Sequence, residues 1–212
     1  MARLKIYAFP DVVLTQKAKP VARVDKSYFK IADDMFETMY DAPGIGLAAN
    51  QVGILERILV LDVDYDYEDL EEDLKIPEGA EVFGRSVVSN RKPLILINPI
   101  ITRREGKIVT SEGCLSVPEF TADVERAKKL TLQYQTIDGL TKTLDAEELL
   151  SVAIQHEMDH LEGRLFIDRL SPLKKEMVQK KLRRERAEKE SFGSTRHDFL
   201  SPKDAKKRGL IR

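Results

Sequence analysis

The sequence predicts an α+β fold: mixed, mainly antiparallel β-sheets packed around a central helix that bears a His-Glu-x-x-His motif, with an N-terminal helix and a C-terminal helix besides. Three observations predict it. Apolar residues recur at helical spacing near 27–40 and again in the stretch 145–162, and a charge-rich helical run follows at 172–190. Runs rich in Ile, Leu and Val lie between the first two helices. One alternating run turns through Asp138-Gly139, a strong hairpin signal, and so gains an antiparallel partner.

In chain order, residues 1–20 read as an extended lead-in. Phe9-Pro10-Asp11 signals a turn, and the residue before Pro20 disfavours helix. The first helix spans about Ser27 to Tyr40, with Asp25 or Ser27 as its cap and Ile31, Met35, Phe36, Met39 and Tyr40 as its core stripe. Asp41-Ala42-Pro43-Gly44 ends it. Arg57–Val63 and Leu94–Ile101 read as buried strands. Between them residues 62–81 carry ten acidic side chains and one lysine without a regular apolar period, so the insertion at about 62–92 reads as a solvated surface excursion. Gly106–Ser116 is a strand candidate, Lys129–Ile137 alternates as a strand, and Thr141–Leu144 returns. Asp145 and Glu148 resemble a capping box, which starts the central helix there and carries it to about Glu162, with Gly163 just past its end. Residues 172–190 read as a basic helix, and 191–212 as a flexible tail.

With 212 residues, 42% hydrophobic and 33% charged, the chain has the composition of a soluble globular protein. No apolar run reaches membrane-spanning length and the first residues lack the apolar core of a signal peptide, so no membrane partner is expected. The single cysteine agrees with a reducing compartment, and a cytoplasmic location is the expectation. A net charge of −1 announces no free nucleic acid as partner, but it hides an asymmetry: residues from Ser171 onward carry a surplus of +8, and the first 170 carry −9.

The chemistry concentrates in Gln155-His156-Glu157-Met158-Asp159-His160. Histidines four apart on a helix share one face and can hold one metal ion, and the intervening glutamate can act as general base on a water. Leu149, Val152, Ala153, His156 and His160 fall on one broad face, so the metal face continues an apolar one. The usual third ligands of peptidases are missing: position 166 is Phe where metzincins place histidine, and Gln179-Lys180-Lys181 occupies the neighbourhood where thermolysin-like enzymes place a glutamate. The remaining candidate is upstream, Cys114, beside Gly113. A third stretch, Gly44 to Gly53, has three glycines and two alanines, which let the backbone come close to a ligand. It is no phosphate loop, since no Gly-Lys-Ser/Thr follows and the third glycine position is Ala49. Gln51 is its one long polar side chain capable of donating into a site.

Gly44-Ile45-Gly46-Leu47-Ala48-Ala49-Asn50-Gln51, Glu112-Gly113-Cys114-Leu115-Ser116 and Gln155-His156-Glu157-Met158-Asp159-His160 resemble, in order, the three signature motifs of peptide deformylase. The resemblance runs from about residue 4 to 175, interrupted by 62–92. It implies a catalytic domain at 1–170 that removes the N-formyl group from N-formylmethionyl nascent polypeptides, releasing formate, by a metal-bound water activated by Glu157. The metal would sit on Cys114, His156 and His160. Fe2+ is the expected ion, with Zn2+, Ni2+ or Co2+ as alternatives. The family assigns the oxyanion donors to the Gln51 amide and the Leu115 backbone N–H. It places the peptide along Ile45, Gly46 and Gly113, and the methionine side chain in a pocket that includes Ile45, Leu149, Val152 and Ala153. Thr121 stands where many relatives use an arginine on the substrate. Arg126 matches a family arginine and is expected to pair with Asp159 in support of the ligands. Similar C-terminal helices in related deformylases suggest ribosomal RNA contact for the basic helix.

Overall fold

A computed structural model describes residues 2–71 and 74–191. Its architecture is α+β. Helix α1 spans Ser27–Asp41, and after it come β1 Gly46–Ala48, β2 Ile58–Leu61, β3 Asp66–Asp69, β4 Glu81–Phe83 and β5 Ser86–Ser89. Then follow β6 Leu94–Glu105, β7 Ile108–Cys114, β8 Val117–Arg126, β9 Lys129–Gln135, β10 Thr141–Glu147, α2 Glu148–Leu161 and α3 Pro172–Ser191. A five-stranded antiparallel sheet has the order β1-β2-β6-β9-β10, and β7-β8 form a separate hairpin.

Strand β2 explains why the large sheet is covered on both faces. All four of its residues are buried, so it shows a continuous apolar run instead of alternation. Ile58 and Val60 face a core shared with Met35, Phe36, Met39 and Tyr40 of α1. Leu59 and Leu61 face the other way, into a core shared with Ala153, Ile154 and Leu161 of α2. Each such fully buried aliphatic side chain contributes about 1.5–3 kcal/mol. The sheet is thus sandwiched, and α2 is held against it along its whole length.

Two expectations need correction, and two features go beyond the reading of the sequence. The acidic insertion is not a bare excursion: β3, β5 and β4 pair in that order into a small antiparallel sheet. Its outward Asp66 and Glu68 alternate with half-buried Tyr67 and Asp69, a period masked by the acidic count. Helix α2 begins at Glu148, with Glu147 at its cap position, and not directly after Asp145 as cap. Residues 145–147 extend β10, paired with Thr131, Leu130 and Lys129, and Asp145 accepts a hydrogen bond from the Thr131 hydroxyl (2.6 Å) instead of capping. Cross-strand pairing outweighs the local capping signal, and the chain pivots into the helix at Glu148 (φ +50°). Strand β8 was not anticipated: a proline is its second residue and its last inward residue is an arginine, neither of which signals a strand. Finally, α3 is charged but not solvated all round: Val178 and Leu182 are buried in a core with Leu14, Val117, Val124 and Phe166. The expected tail beyond Ser191 lies outside the described residues.

Candidate active site

Two elements, β7 and α2, bring Cys114, His156 and His160 together. Cys114 ends β7 and pairs with Val117, so Leu115-Ser116 form the tight turn of the hairpin. His156 and His160 lie one turn apart on α2, their ring centroids 5.1 Å apart. The three potential ligand atoms all lie within 4.8 Å of one another, and Cys114 Sγ is 3.1 Å from His160 Nε2. Both histidines are buried and the cysteine is half-buried. A thiol sulfur with two imidazoles is a donor set for a borderline divalent ion such as Zn2+ or Fe2+, so the residues present fit a metal. Phe166, which removed the metzincin reading, lies behind the site: it is buried and stacks on His156 with centroids 5.9 Å apart.

A buried ionic network orients the histidines. Arg126, from the end of β8, donates Nε and Nη2 to the two oxygens of Glu112 (2.7 and 2.8 Å) and Nη1 to Asp159 (2.5 Å). Glu112 Oε2 lies 2.8 Å from His156 Nδ1. Against the penalty of burial, hydrogen bonds from Arg126 and His156 hold the Glu112 carboxyl at about 2. An ionised carboxylate only accepts, so a proton sits on Nδ1 of His156, and the charged form of the ring is favoured against the penalty of burial. Loss of the second proton, from Nε2, is what would free that atom to hold an ion. Asp159 is clamped from outside by Arg169, through Nε (3.0 Å) and Nη2 (2.5 Å). The expected Arg126–Asp159 contact is therefore present. Arg169 and the dominant partner, Glu112, were not singled out from the sequence. Glu112 carried a signal, as the acid at the head of the cysteine motif. Arg169 carried none.

Burial, above all, raises the Glu157 carboxyl to about 7, opposed by His156 and by a hydrogen bond from the Ala48 backbone. Among the described residues no group hydrogen-bonds its Oε2, although the atom is buried. Glycine at position 46 is what admits this carboxylate: a Cβ there would lie 2.6 Å from Glu157 Oε1 and 2.9 Å from Leu61 Cδ2. His160 is pushed well below its usual range, first by burial and then by the charges of His156 and Arg126.

The Gln51 amide is also oriented by its surroundings. Its Oε1 accepts the Ala48 N–H (2.7 Å), which turns the NH2 toward Ser116 Oγ (3.2 Å) and Cys114 Sγ (3.6 Å). The Ser116 N–H also points at that sulfur (3.4 Å). Asn50, beside Gln51, donates its amide to the His160 carbonyl, tying the glycine-rich segment to the end of α2. Gln155 clamps the other side of the helix, its amide donating to the Ala127 carbonyl (2.9 Å) and accepting the Ala127 N–H (3.1 Å).

The residues expected to contact a peptide divide by exposure. Ile45 (38%) and Leu149 (48%) are among the exposed large apolar side chains, and Val152 and Ala153 are buried, Ala153 in the core between α2 and the sheet. β1 is an outer strand of the large sheet. Asp62 N–H donates to the Ile45 carbonyl (3.0 Å), so alternation turns the N–H and C=O of Gly46 toward the open edge. Gly113 is exposed in β7, with Thr121 of β8 beside it.

The polypeptide deformylase family model matches residues 3–176. A peptide deformylase from Nitrosococcus oceani is 46% identical over 181 residues, which is 85% of this chain and 95% of the relative. The crystal structure of a peptide deformylase from Legionella pneumophila is 36% identical with a TM-score of 0.70, covering 88% of this chain and 96% of that one. One from Synechococcus elongatus in complex with actinonin is 37% identical with a TM-score of 0.66, covering 85% and 86%. Alike in sequence and in fold over most of its length, the chain belongs to the polypeptide deformylase family, metal-dependent hydrolases that remove the N-formyl group from nascent polypeptides.

Proposed function

We propose that the chain hydrolyses N-formylmethionyl peptides through one divalent ion held by Cys114, His156 and His160, with Glu157 as general base. The observation that carries this reading is Glu157 itself. It is buried next to His156 in the chain, has one oxygen without a hydrogen-bond partner among the described residues, and burial pushes its carboxyl up to about 7. A carboxylate poised there can take a proton from the attacking water and return it to the departing amine near neutral pH. When bound, the ion supplies Lewis-acid polarisation of water and of the formyl oxygen. Fe2+ is the ion the family resemblance favours, with Zn2+, Ni2+ and Co2+ as alternatives.

Gln51 and the Leu115 backbone N–H serve the developing oxyanion. The orientation of Gln51 supports this role, since its carbonyl is occupied by Ala48 and only its NH2 can face the site. Preorganised donors of this kind contribute about 3–4 kcal/mol each to transition-state stabilisation. The peptide adds as a strand to the β1 edge at Ile45 and Gly46 and reaches Gly113 across the cleft, main-chain hydrogen bonds giving affinity. Ile45, Leu149, Val152 and Ala153 shape the methionine pocket.

The decisive assay supplies formyl-Met-Ala-Ser to anaerobically prepared Fe2+ protein and measures formate beside peptide-bond cleavage products. Formate should appear without cleavage products. A Glu157→Ala control should lose it, and formate no higher than that control from the wild type sinks the reading.

We read residues 1–170 as the catalytic domain and the outward face of α3 as a contact for ribosomal RNA in the cytoplasm. Support comes from Lys174, Lys180, Lys181 and Arg184, all exposed while Val178 and Leu182 hold the helix down. Replacing these four by Gln should weaken salt-sensitive co-sedimentation with ribosomes. Unchanged sedimentation removes the proposal.

A further inference from the structure

The acidic insertion between β2 and β6 takes no part in the chemistry above, yet it grips the entry to β1. Two backbone carbonyls before that strand are held from it. Asp62 N–H donates to the Ile45 carbonyl and the Tyr65 hydroxyl donates to the Gly44 carbonyl, each at 3.0 Å. Tyr65 is itself fixed, its ring edge-on to Tyr40 with centroids 5.1 Å apart. Tyr40 is fully buried, donates its hydroxyl to Asp62 (2.7 Å) and packs against Phe83 of β4 (4.8 Å between centroids). Asp62 also accepts the N–H of Lys92, at the far end of the insertion (2.8 Å). Both ends of the insertion and one strand of its sheet therefore converge on the two residues that lead into β1. Burial, and then the charge of Asp62, raise the Tyr65 phenol, so its donor proton stays in place at neutral pH.

We infer that Tyr65 is a positioning residue for the peptide: by holding the Gly44 carbonyl it sets the pose of the β1 edge, and the insertion thereby tunes peptide affinity instead of the chemical step. This rests on the reading of β1 as the peptide-binding edge. An edge that is already ordered spares the ordering cost of each binding event, and that cost enters KM when the bound geometry is unchanged. Among the described residues Tyr67, the next aromatic side chain on the same segment, bonds within the insertion, to Asp69 of its own strand and to Ser86 of β5. It is a built-in comparison.

The test is Tyr65→Phe, which keeps the ring on Tyr40 and removes only the hydroxyl, beside Tyr67→Phe, with formyl-Met-Ala-Ser as substrate. For Tyr65→Phe, KM should rise about 3- to 10-fold, the size of one lost hydrogen bond, with kcat within about 2-fold of wild type. The Leu47 amide, on the strand face paired with Val60, should exchange its hydrogen faster, and Tyr67→Phe should change none of these. Unchanged KM, a fall in kcat at constant KM, unchanged Leu47 exchange, or an equal effect of Tyr67→Phe overturns the inference. Failure of the activity itself is distinguishable, since the wild type would then release no formate before any variant is compared.

Discussion

Replacing Arg126 by alanine probes the network behind the histidines. The guanidinium is 1% exposed and makes three charge-assisted hydrogen bonds, two to Glu112 and one to Asp159, whose side chains are 5% and 9% exposed. Removing it strands two buried carboxylates unequally. Asp159 keeps the bidentate grip of Arg169, which is 43% exposed, whereas Glu112 keeps only His156. Breaking a buried pair from one side costs about 3–5 kcal/mol, and for a domain of this size each kcal/mol lowers Tm by about 2–4 °C. Arg126→Ala should therefore melt about 6–20 °C lower. Burial penalises the Glu112 carboxylate, and the variant removes the Arg126 hydrogen bonds, the larger part of what holds that carboxyl at about 2. Once protonated it can donate instead of accept, and the proton on His156 Nδ1 is no longer specified. Disturbing such a support typically weakens metal affinity about 10- to 100-fold. Calorimetry of metal-loaded protein, with ion release followed against a chelator, measures both effects. Arg126→Lys, one point charge in place of a planar fork, should fall between. A melting temperature and a release rate equal to wild type would refute the reasoning.

Three further outcomes follow from specific contacts. Gly46→Ala puts a Cβ 2.6 Å from Glu157 Oε1 and should lower formate release about 100-fold by displacing the base, while the protein still retains its ion; full activity would refute the packing argument. Gly163→Ala forces a left-handed residue (φ +70°) and brings a Cβ to 2.5 Å from the Thr15 carbonyl, so it should cost at least about 1–2 kcal/mol in denaturant unfolding, with kcat little changed. Leu182→Ala on α3 should cost about 2 kcal/mol or more by the same measurement, because its side chain is buried with Phe166 and Val117; no loss would mean that the helix docks only weakly.

What was legible in the sequence depended on distance along the chain. His156, Glu157 and His160 sit within one helical turn and a little more, so their spacing alone places them on one face. Cys114 could be reached because it is the chain's one thiol and the downstream ligand positions were filled by other residues. Glycines 46 and 163 and the Asp138-Gly139 hairpin are likewise local signals that the structure uses. Of the support network only the Arg126–Asp159 pair was foreseen, and that from family resemblance; spacing alone shows none of it, since Arg126 lies 14 residues from Glu112 and 33 from Asp159, and Glu112 lies 44 from His156. No local period records such pairings. The same blindness explains the acidic insertion. Ten acids in 62–81 look like solvent-facing charge, yet Asp62 is 1% exposed because Tyr40 and the Lys92 backbone satisfy it from 22 and 30 residues away. A carboxylate is buried when remote donors compensate its lost hydration. For Asp62, Glu112 and Asp159 alike, the fold decides whether an acid is surface charge or scaffold, and composition cannot.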